Sequence, residues 1–87
     1  MPSGKAPRIT LYTAPGCGHC RQLKDFLRRN RIPHGEQDIS RSRRAETEFR
    51  RLGARGVPVL VIGKERVDGF NPKRLTQVLR KAGFELA

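Results

Sequence analysis

The chain has 87 residues, which is enough for one small domain and excludes a two-domain enzyme. Charged residues make up 31% and hydrophobic residues 36%, a composition typical of soluble globular domains. Nineteen Lys and Arg against eight Asp and Glu give a formal net charge of +11, which favours acidic partners, nucleic acid among them.

The sequence predicts one cytoplasmic domain that does not bind membranes. No apolar run approaches the roughly 18–20 residues of a membrane helix, and the first residues lack the apolar stretch of a secretion signal. Residues 1–7 are small and unpatterned, so we expect a flexible N-terminal tail followed by one domain over residues 8–87. Two cysteines in a reducing compartment exclude a framework of structural disulfides.

Strand and helix patterns alternate in the first half of the chain. Residues 8–13 alternate in polarity and include β-branched and aromatic side chains, which predicts a strand. From Cys17 apolar residues recur at helical spacing, and Asn30 ends this helix. Residues 34–39 predict a second, short strand.

A second helix and a hairpin follow. Ser40 and Ser42 are candidate N-caps of this helix, and Gly53 is its stop. Residues 57–62 are a continuous β-branched run, which predicts a central buried strand that turns back into a strand over residues 65–68.

The last helix begins after Asn71, an N-cap residue followed by proline, and ends at Gly83. The order βαβαββα predicts an α/β fold with a mixed four-stranded sheet and helices on both of its faces. The first two strands should be parallel with a right-handed crossover, and the last two should form an antiparallel hairpin.

The segment Cys17-Gly18-His19-Cys20 lies where the first strand gives way to a helix. The first turn of a helix has unpaired N–H groups and a partial positive charge, which stabilise a thiolate. Arg21 adds to this positive field. Cys17 is therefore the candidate nucleophile, and Cys20, one turn further on, is the candidate resolving thiol.

Other uses of the two cysteines fit less well. A structural zinc ion needs four ligands, and the chain adds only His19, badly placed between the cysteines, and His34. A haem-attachment motif needs histidine directly after the second cysteine, where Arg21 stands. Two inert buried thiols are the remaining alternative. We expect no bound metal.

Four segments together resemble the glutaredoxin family of the thioredoxin fold, over about residues 8–83. They are Leu11-Tyr12-Thr13 leading into Pro15-Gly16-Cys17-Gly18-His19-Cys20, Asp38-Ile39-Ser40, Gly56-Val57-Pro58-Val59 and Gly69-Phe70-Asn71-Pro72. The resemblance implies a thiol–disulfide oxidoreductase, an electron carrier of cell redox homeostasis that needs no organic cofactor.

The resemblance also implies a substrate groove beside the cysteines. In the family the proline that matches Pro58 forms a cis peptide there, and the backbone at Val57 pairs with the substrate like an added strand. Tyr12 is a candidate for this groove, with burial in the core as its alternative. The residues expected to bind substrate are Tyr12, Val57, Pro58, Gly69, Phe70 and Asn71.

Within the family, the pattern looks most like the NrdH-type redoxins, which commonly take electrons from thioredoxin reductase rather than glutathione. Glutathione-using members usually have a lysine, a threonine and an acidic residue at three positions of their glutathione site. In this sequence those positions are occupied by Ala14, Gly56 and Asn71, respectively. Arg41, Arg43 or Arg55 could still attract the glutathione carboxylates. The alternative is therefore a glutathione-dependent glutaredoxin acting on glutathionylated substrates. The resemblance suggests ribonucleotide reductase as a protein substrate.

The dipeptide Gly18-His19 resembles that of protein disulfide isomerases, so we expect the Cys17–Cys20 pair to have a higher reduction potential than thioredoxin. The alternative is that His19 is merely exposed at the beginning of the helix.

An iron–sulfur cluster bridging two protomers through Cys17 would depend on glutathione. The weak glutathione site argues against such a cluster, and we expect a monomer.

Six arginines crowd the second helix and its ends: Arg41, Arg43, Arg44, Arg50, Arg51 and Arg55. They form either a solvated face, partly paired by Glu46 and Glu48, or a docking surface for an acidic protein. The chain has no recognisable nucleic-acid-binding motif, so we expect at most weak, salt-sensitive association with nucleic acid.

Overall fold

The computed structural model describes residues 7–86 and contains the seven elements in the predicted order. The strands are β1 (Ile9–Thr13), β2 (Gly35–Asp38), β3 (Val59–Ile62) and β4 (Glu65–Asp68). The helices are α1 (Gly18–Arg29), α2 (Arg43–Arg51) and α3 (Pro72–Lys81). The predicted N-terminal tail lies outside the described residues, apart from Pro7.

The four strands form one mixed sheet in the order β2-β1-β3-β4. β1 pairs in parallel with β2, and β3 and β4 form an antiparallel hairpin, both as predicted. β3 also pairs with β1 in antiparallel orientation. Thr13 lies opposite Asp38, and Val59 lies opposite both Tyr12 and Asp68. The connections β1–α1, β2–α2, α2–β3 and β4–α3 therefore meet at one end of the sheet, which we call the cysteine end.

Alternation along the central strands gives each face of the sheet its own core. Leu11 and Leu60 are fully buried on the face covered by α1 and α3, together with Leu23, Leu27, Leu75 and Leu79. Tyr12 and Val59 point to the other face, where Phe49 of α2 covers them. The predicted arrangement of helices on both faces of the sheet is confirmed. As a result β1 and β3 are buried in the middle of the domain.

The three helices begin at the N-cap residues that the sequence offers. Cys17, Ser42 and Asn71 cap α1, α2 and α3, each with a side-chain atom that accepts a hydrogen bond from a backbone N–H of the first turn. The alternative cap Ser40 is not used by α2. Its N–H and hydroxyl instead bind the carboxylate of Asp38.

Three of the four strands are shorter than predicted, and β4 has its predicted bounds. Arg8 precedes β1, and β2 lacks both His34 and Ile39. The third strand begins at Val59 rather than Val57, because Pro58 has no N–H to contribute to a ladder of strand hydrogen bonds. Among residues 7–86, none of the helices is long and apolar enough to cross a membrane.

Candidate active site

Cys17 and Cys20 form a disulfide at the beginning of α1, with their Cα atoms 5.2 Å apart. Cys17 has extended backbone angles as the N-cap, and its Sγ accepts a hydrogen bond of 3.0 Å from the N–H of Cys20. Cys17 is half-buried, whereas Cys20 is only 2% exposed. An incoming sulfur atom can therefore reach Cys17 far more easily than Cys20.

Positive groups lie beside Cys17 at the beginning of α1. The first turn of α1 contains no acidic residue, and the unpaired N–H groups at its beginning point toward the N-cap. Arg21 is exposed and lines the same open pocket as the two cysteines, a cavity of about 230 Å³. The two residues between the cysteines, Gly18 and His19, are both exposed in the first turn.

The same pocket contains polar residues that the sequence analysis did not place beside the cysteines. Glu36 of β2 forms an ion pair of 3.1 Å with Lys24 of α1, and the buried Thr13 donates a hydrogen bond of 3.3 Å to Glu36. Asp38 also lines the pocket. Two carboxylates, those of Glu36 and Asp38, thus share a cavity with Cys20. Asp25, the carboxylate of α1 itself, is instead exposed and lies 3.8 Å from Arg28.

Asp38 is held as a carboxylate. The hydroxyl of Ser40 donates a hydrogen bond of 2.6 Å to it, and the N–H of Ser40 donates another of 2.8 Å. These hydrogen bonds, and to a smaller extent the positive charge of Arg41, lower the pKa of Asp38 below its ordinary value. This carboxylate therefore stays charged at neutral pH and fixes the turn that leads from β2 into α2.

The Val57–Pro58 peptide bond is cis, which confirms that expectation, and it lies in the α2–β3 connection at the cysteine end. Pro58 is fully buried, and its carbonyl accepts a hydrogen bond of 2.8 Å from the N–H of Gly69. This bond joins two of the connections predicted to border the groove. The backbone of Val57 forms no hydrogen bond with any residue in the described range, so it can pair with another chain.

Phe70 and Asn71 have structural partners of their own. The half-buried ring of Phe70 packs edge-on against Phe26, with 6.4 Å between ring centroids. The side-chain oxygen of Asn71 accepts a 3.1 Å hydrogen bond from the N–H of Arg74 and so caps α3. Substrate contact by these two residues stays a prediction.

Tyr12 is buried on the face of the sheet that α2 covers, in the cluster against which Val57 also packs. It is 7% exposed under α2, with its ring centroid 5.9 Å from that of Phe49 and its hydroxyl donating to Glu48 at 3.4 Å. Burial and the negative charge of Glu48 raise the pKa of Tyr12. The structure therefore places this side chain in the second core, the alternative named above, while its contact with substrate stays a prediction.

The two histidines do not meet at the cysteines. His19 is exposed at the beginning of α1, and the Nδ1 atom of His34 lies 2.9 Å from the carbonyl oxygen of Ile32. Within residues 7–86, no three side chains of His, Cys, Asp or Glu come together as a metal-binding group.

Comparison with known proteins is consistent with this geometry. The sequence profile of the family described as glutaredoxin matches residues 9–67. The Gene 56 protein of Mycobacterium phage D29 is 32% identical over 73 residues, covering 82% of this chain and 81% of the relative. A glutaredoxin of Neisseria meningitidis is 36% identical over 64 residues, covering 71% of this chain and 75% of the relative.

Solved structures share the fold. The NrdH-redoxin of Escherichia coli, described as a glutaredoxin-like protein with a thioredoxin-like activity profile, superposes with a TM-score of 0.74 at 27% identity. The superposition covers 82% of this chain and 93% of the redoxin. The mixed four-stranded sheet with three helices is thus a thioredoxin-like fold.

Proposed function

The chain belongs to the glutaredoxin family, and from this premise we propose that it reduces protein disulfides by a two-cysteine mechanism, with Cys17 as nucleophile and Cys20 as resolving thiol. The observation that carries the proposal is the difference between the two sulfur atoms. Cys17 is half-exposed and caps a helix, whereas Cys20 is buried one turn further on, within disulfide distance. A thiolate is stabilised at the first position and shielded from substrates at the second.

The reaction consists of two exchanges of sulfur partners. The Cys17 thiolate attacks one sulfur of the substrate disulfide, whose S–S bond breaks; the departing thiolate takes a proton from solvent. Cys20 then loses its proton and attacks Sγ of Cys17, which breaks the mixed disulfide and releases the second substrate thiolate. Two electrons pass to the substrate, and the Cys17–Cys20 disulfide, the form seen here, awaits a reductase.

The groove that receives the substrate would lie along the cis peptide. The backbone of Val57 is unpaired within the described residues and can add an extended substrate segment as a strand. The buried Pro58 fixes this backbone, since its carbonyl is tied to Gly69. Backbone pairing accepts many sequences, so specificity must come from side chains around the groove.

The reductant we propose is thioredoxin reductase. Ala14, at the position of the lysine in glutathione-using members, lines the pocket of the cysteines without a charge. Asn71 uses its side-chain oxygen to cap α3. Similarity to a redoxin with a thioredoxin-like activity profile supports the same choice. We place the reaction in the cytoplasm, where a dithiol carrier is kept reduced, with ribonucleotide reductase as a candidate protein substrate.

The proposal is tested by reducing the oxidised protein with two different electron-supply systems. The consumption of NADPH is measured by absorbance in each. One supplies NADPH and thioredoxin reductase, and the other supplies NADPH, glutathione reductase and glutathione. We expect fast turnover only with the first, and none in either with the control variant Cys17→Ser. Fast turnover with glutathione would overturn the proposed reductant, and failure in both systems would overturn the redox function.

The variant Ala14→Lys refines the same assay. It adds to the pocket beside Cys17 the charge that glutathione-using relatives have at this position. We expect the rate of reduction by glutathione to rise up to about fivefold, because one exposed ionic contact contributes up to about 1 kcal/mol, while the thioredoxin reductase rate changes little. An unchanged glutathione rate would mean that the missing lysine does not explain the choice of reductant.

A further inference from the structure

We propose that a rim of positive side chains around the disulfide selects substrates whose disulfide is flanked by acidic residues, so that the protein partner presents an acidic surface. This inference rests on the proposed function, since it names the substrate class of the same site. The residues of this basic rim are Arg21, Arg41, Arg43, Arg55 and Lys73.

The topology gathers these residues at the cysteine end of the sheet. They come from four places at that end. Arg21 and Lys73 lie in the first turns of α1 and α3, Arg41 and Arg43 lie just before α2 and at its first residue, and Arg55 lies in the connection into β3. Arg21 lines the pocket of the two cysteines. Arg55 lines another open pocket, of about 460 Å³, together with Val57 and Gly69, the two residues at the proposed strand-pairing site.

The rim cations are exposed; Arg41 helps to lower the pKa of Asp38 but does not form an ion pair with it. All five side chains are solvent-exposed, and none of them forms an ion pair with another residue between positions 7 and 86. By contrast Arg44, Arg50 and Arg66 are paired with Glu48, Glu46 and Asp68. The structure thus separates the arginines of a solvated, partly paired face from those that remain free around the site.

The carboxylates at the same end are already engaged. Asp38 accepts two hydrogen bonds from Ser40, and Asp68 is paired with Arg66 at 3.0 Å. Glu36 is paired with Lys24, so Asp38 is the one of these three carboxylates that has no ion pair within the described range, against the five cations of the rim. An excess of charge of one sign raises association rates with a ligand of opposite charge by roughly tenfold to a thousandfold at low ionic strength.

A protein fits this surface better than nucleic acid does. The rim lies at the same end of the sheet as the disulfide and the unpaired strand-like backbone at Val57, both of which suit an extended polypeptide. Stacking platforms for bases are lacking in the described part of the chain, since Tyr12 and Phe49 are buried and the other rings are half-buried against the core.

The test uses three disulfide-cyclised peptides that differ only in the residues flanking the disulfide, which are glutamate, lysine or serine. Pre-reduced protein is mixed with each peptide, and the second-order rate of single-turnover reduction is measured by stopped flow. At about 20 mM ionic strength we expect the acidic peptide to react at least ~10-fold faster than the basic one, and this ratio to fall to within ~3-fold near 0.5 M, where charges are screened.

Two double variants with the same change in net charge separate the rim from the overall charge. Arg41→Glu with Arg55→Glu alters the rim, whereas Arg29→Glu with Lys64→Glu alters exposed, unpaired cations at the opposite end of the sheet. We expect the rim variant to lose most of the preference for the acidic peptide and the control to keep most of it. Thermal unfolding verifies that both variants are folded.

The outcomes distinguish this inference from the proposed function. If no variant reduces the serine peptide, the redox function itself fails. If the serine peptide is reduced but the acidic and basic peptides react equally, or both double variants lose the preference alike, the rim does not select substrates. Binding of a short DNA duplex at physiological salt, lost only in the rim variant, would assign the rim to nucleic acid and overturn the proposal.

Discussion

Arg31 occupies a backbone conformation that suits glycine, and replacing it should stabilise the protein. Its φ of 56° lies in the left-handed region, directly after the C-cap of α1. This conformation lets the N–H of Arg31 reach the carbonyl of Arg28 at 3.0 Å and the N–H of Ile32 reach that of Leu27 at 2.9 Å. Ile32 thereby enters the core at 3% exposure, so the conformation is fixed by packing.

The magnitude follows from the other helices and from the cost of this conformation. Glycine stands at the equivalent position after α2 and α3, with φ of 73° at Gly53 and 102° at Gly83. A residue with a Cβ atom costs about 1–2 kcal/mol in this region. The greater freedom of glycine in the unfolded chain offsets up to about 1 kcal/mol. We therefore expect Arg31→Gly to gain roughly 0.5–1 kcal/mol, or a Tm increase of about 2–8 °C.

Urea and thermal unfolding measure the effect, and Arg28→Gly is the matched control. It removes the same charge, and the exposed ion pair of Arg28 with Asp25 contributes little, so the relief of repulsion in a chain of +11 is similar. Unlike Arg31→Gly, it places glycine inside α1. That change should cost about 1 kcal/mol. Opposite shifts in the two variants are expected. A gain in both would assign the effect to charge, and a loss in Arg31→Gly would refute the reasoning from the left-handed conformation.

Three further predictions concern the second core, the turn after β2 and the redox couple. Phe49→Ala should cost about 3–5 kcal/mol in urea unfolding, because its ring is buried against Tyr12; a cost below about 1 kcal/mol would mean that α2 is held otherwise. The lowered pKa of Asp38 means that its contribution to stability is present above the unfolded pKa and is lost as pH falls through the folded one. Asp38→Asn should therefore lose less stability than wild type between about pH 6 and pH 3; an equal loss would contradict this. Redox titration should give a potential above the roughly −270 mV of thioredoxin, lowered by about 30 mV in His19→Ala; a wild-type value at or below thioredoxin would refute the role of His19.

Features set by neighbouring residues could be predicted from the sequence. The helix that begins with Asn71-Pro72 and ends before Gly83 depends on an N-cap, a proline with a suitable φ and a glycine that adopts positive φ. The cysteine pair at the beginning of α1 was found for the same reason, because a change from strand to helical periodicity is a local signal. The cis peptide at Pro58 required the family resemblance.

Features set by packing between distant elements could not be predicted. Glu36 reaches Lys24 and the cysteine pocket only because β2 pairs in parallel with β1 in one particular register. Tyr12 lies on the face of β1 opposite to Leu11 and Thr13, where Phe49 of α2 covers it. The residues around Tyr12 do not predict that α2 packs on this face. The left-handed Arg31 arises from the burial of Ile32, against the preference of arginine itself.

Trapping the first intermediate tests the division of labour between the cysteines most directly. Reduced Cys20→Ser and, separately, reduced Cys17→Ser are mixed with a peptide disulfide, and the products are analysed by intact mass and peptide mapping. The two-cysteine mechanism predicts that Cys20→Ser accumulates a stable mixed disulfide at Cys17, and that Cys17→Ser forms almost none, because Cys20 is buried. Dithiol turnover by Cys20→Ser at the wild-type rate, or an adduct that forms readily at Cys20, would contradict it.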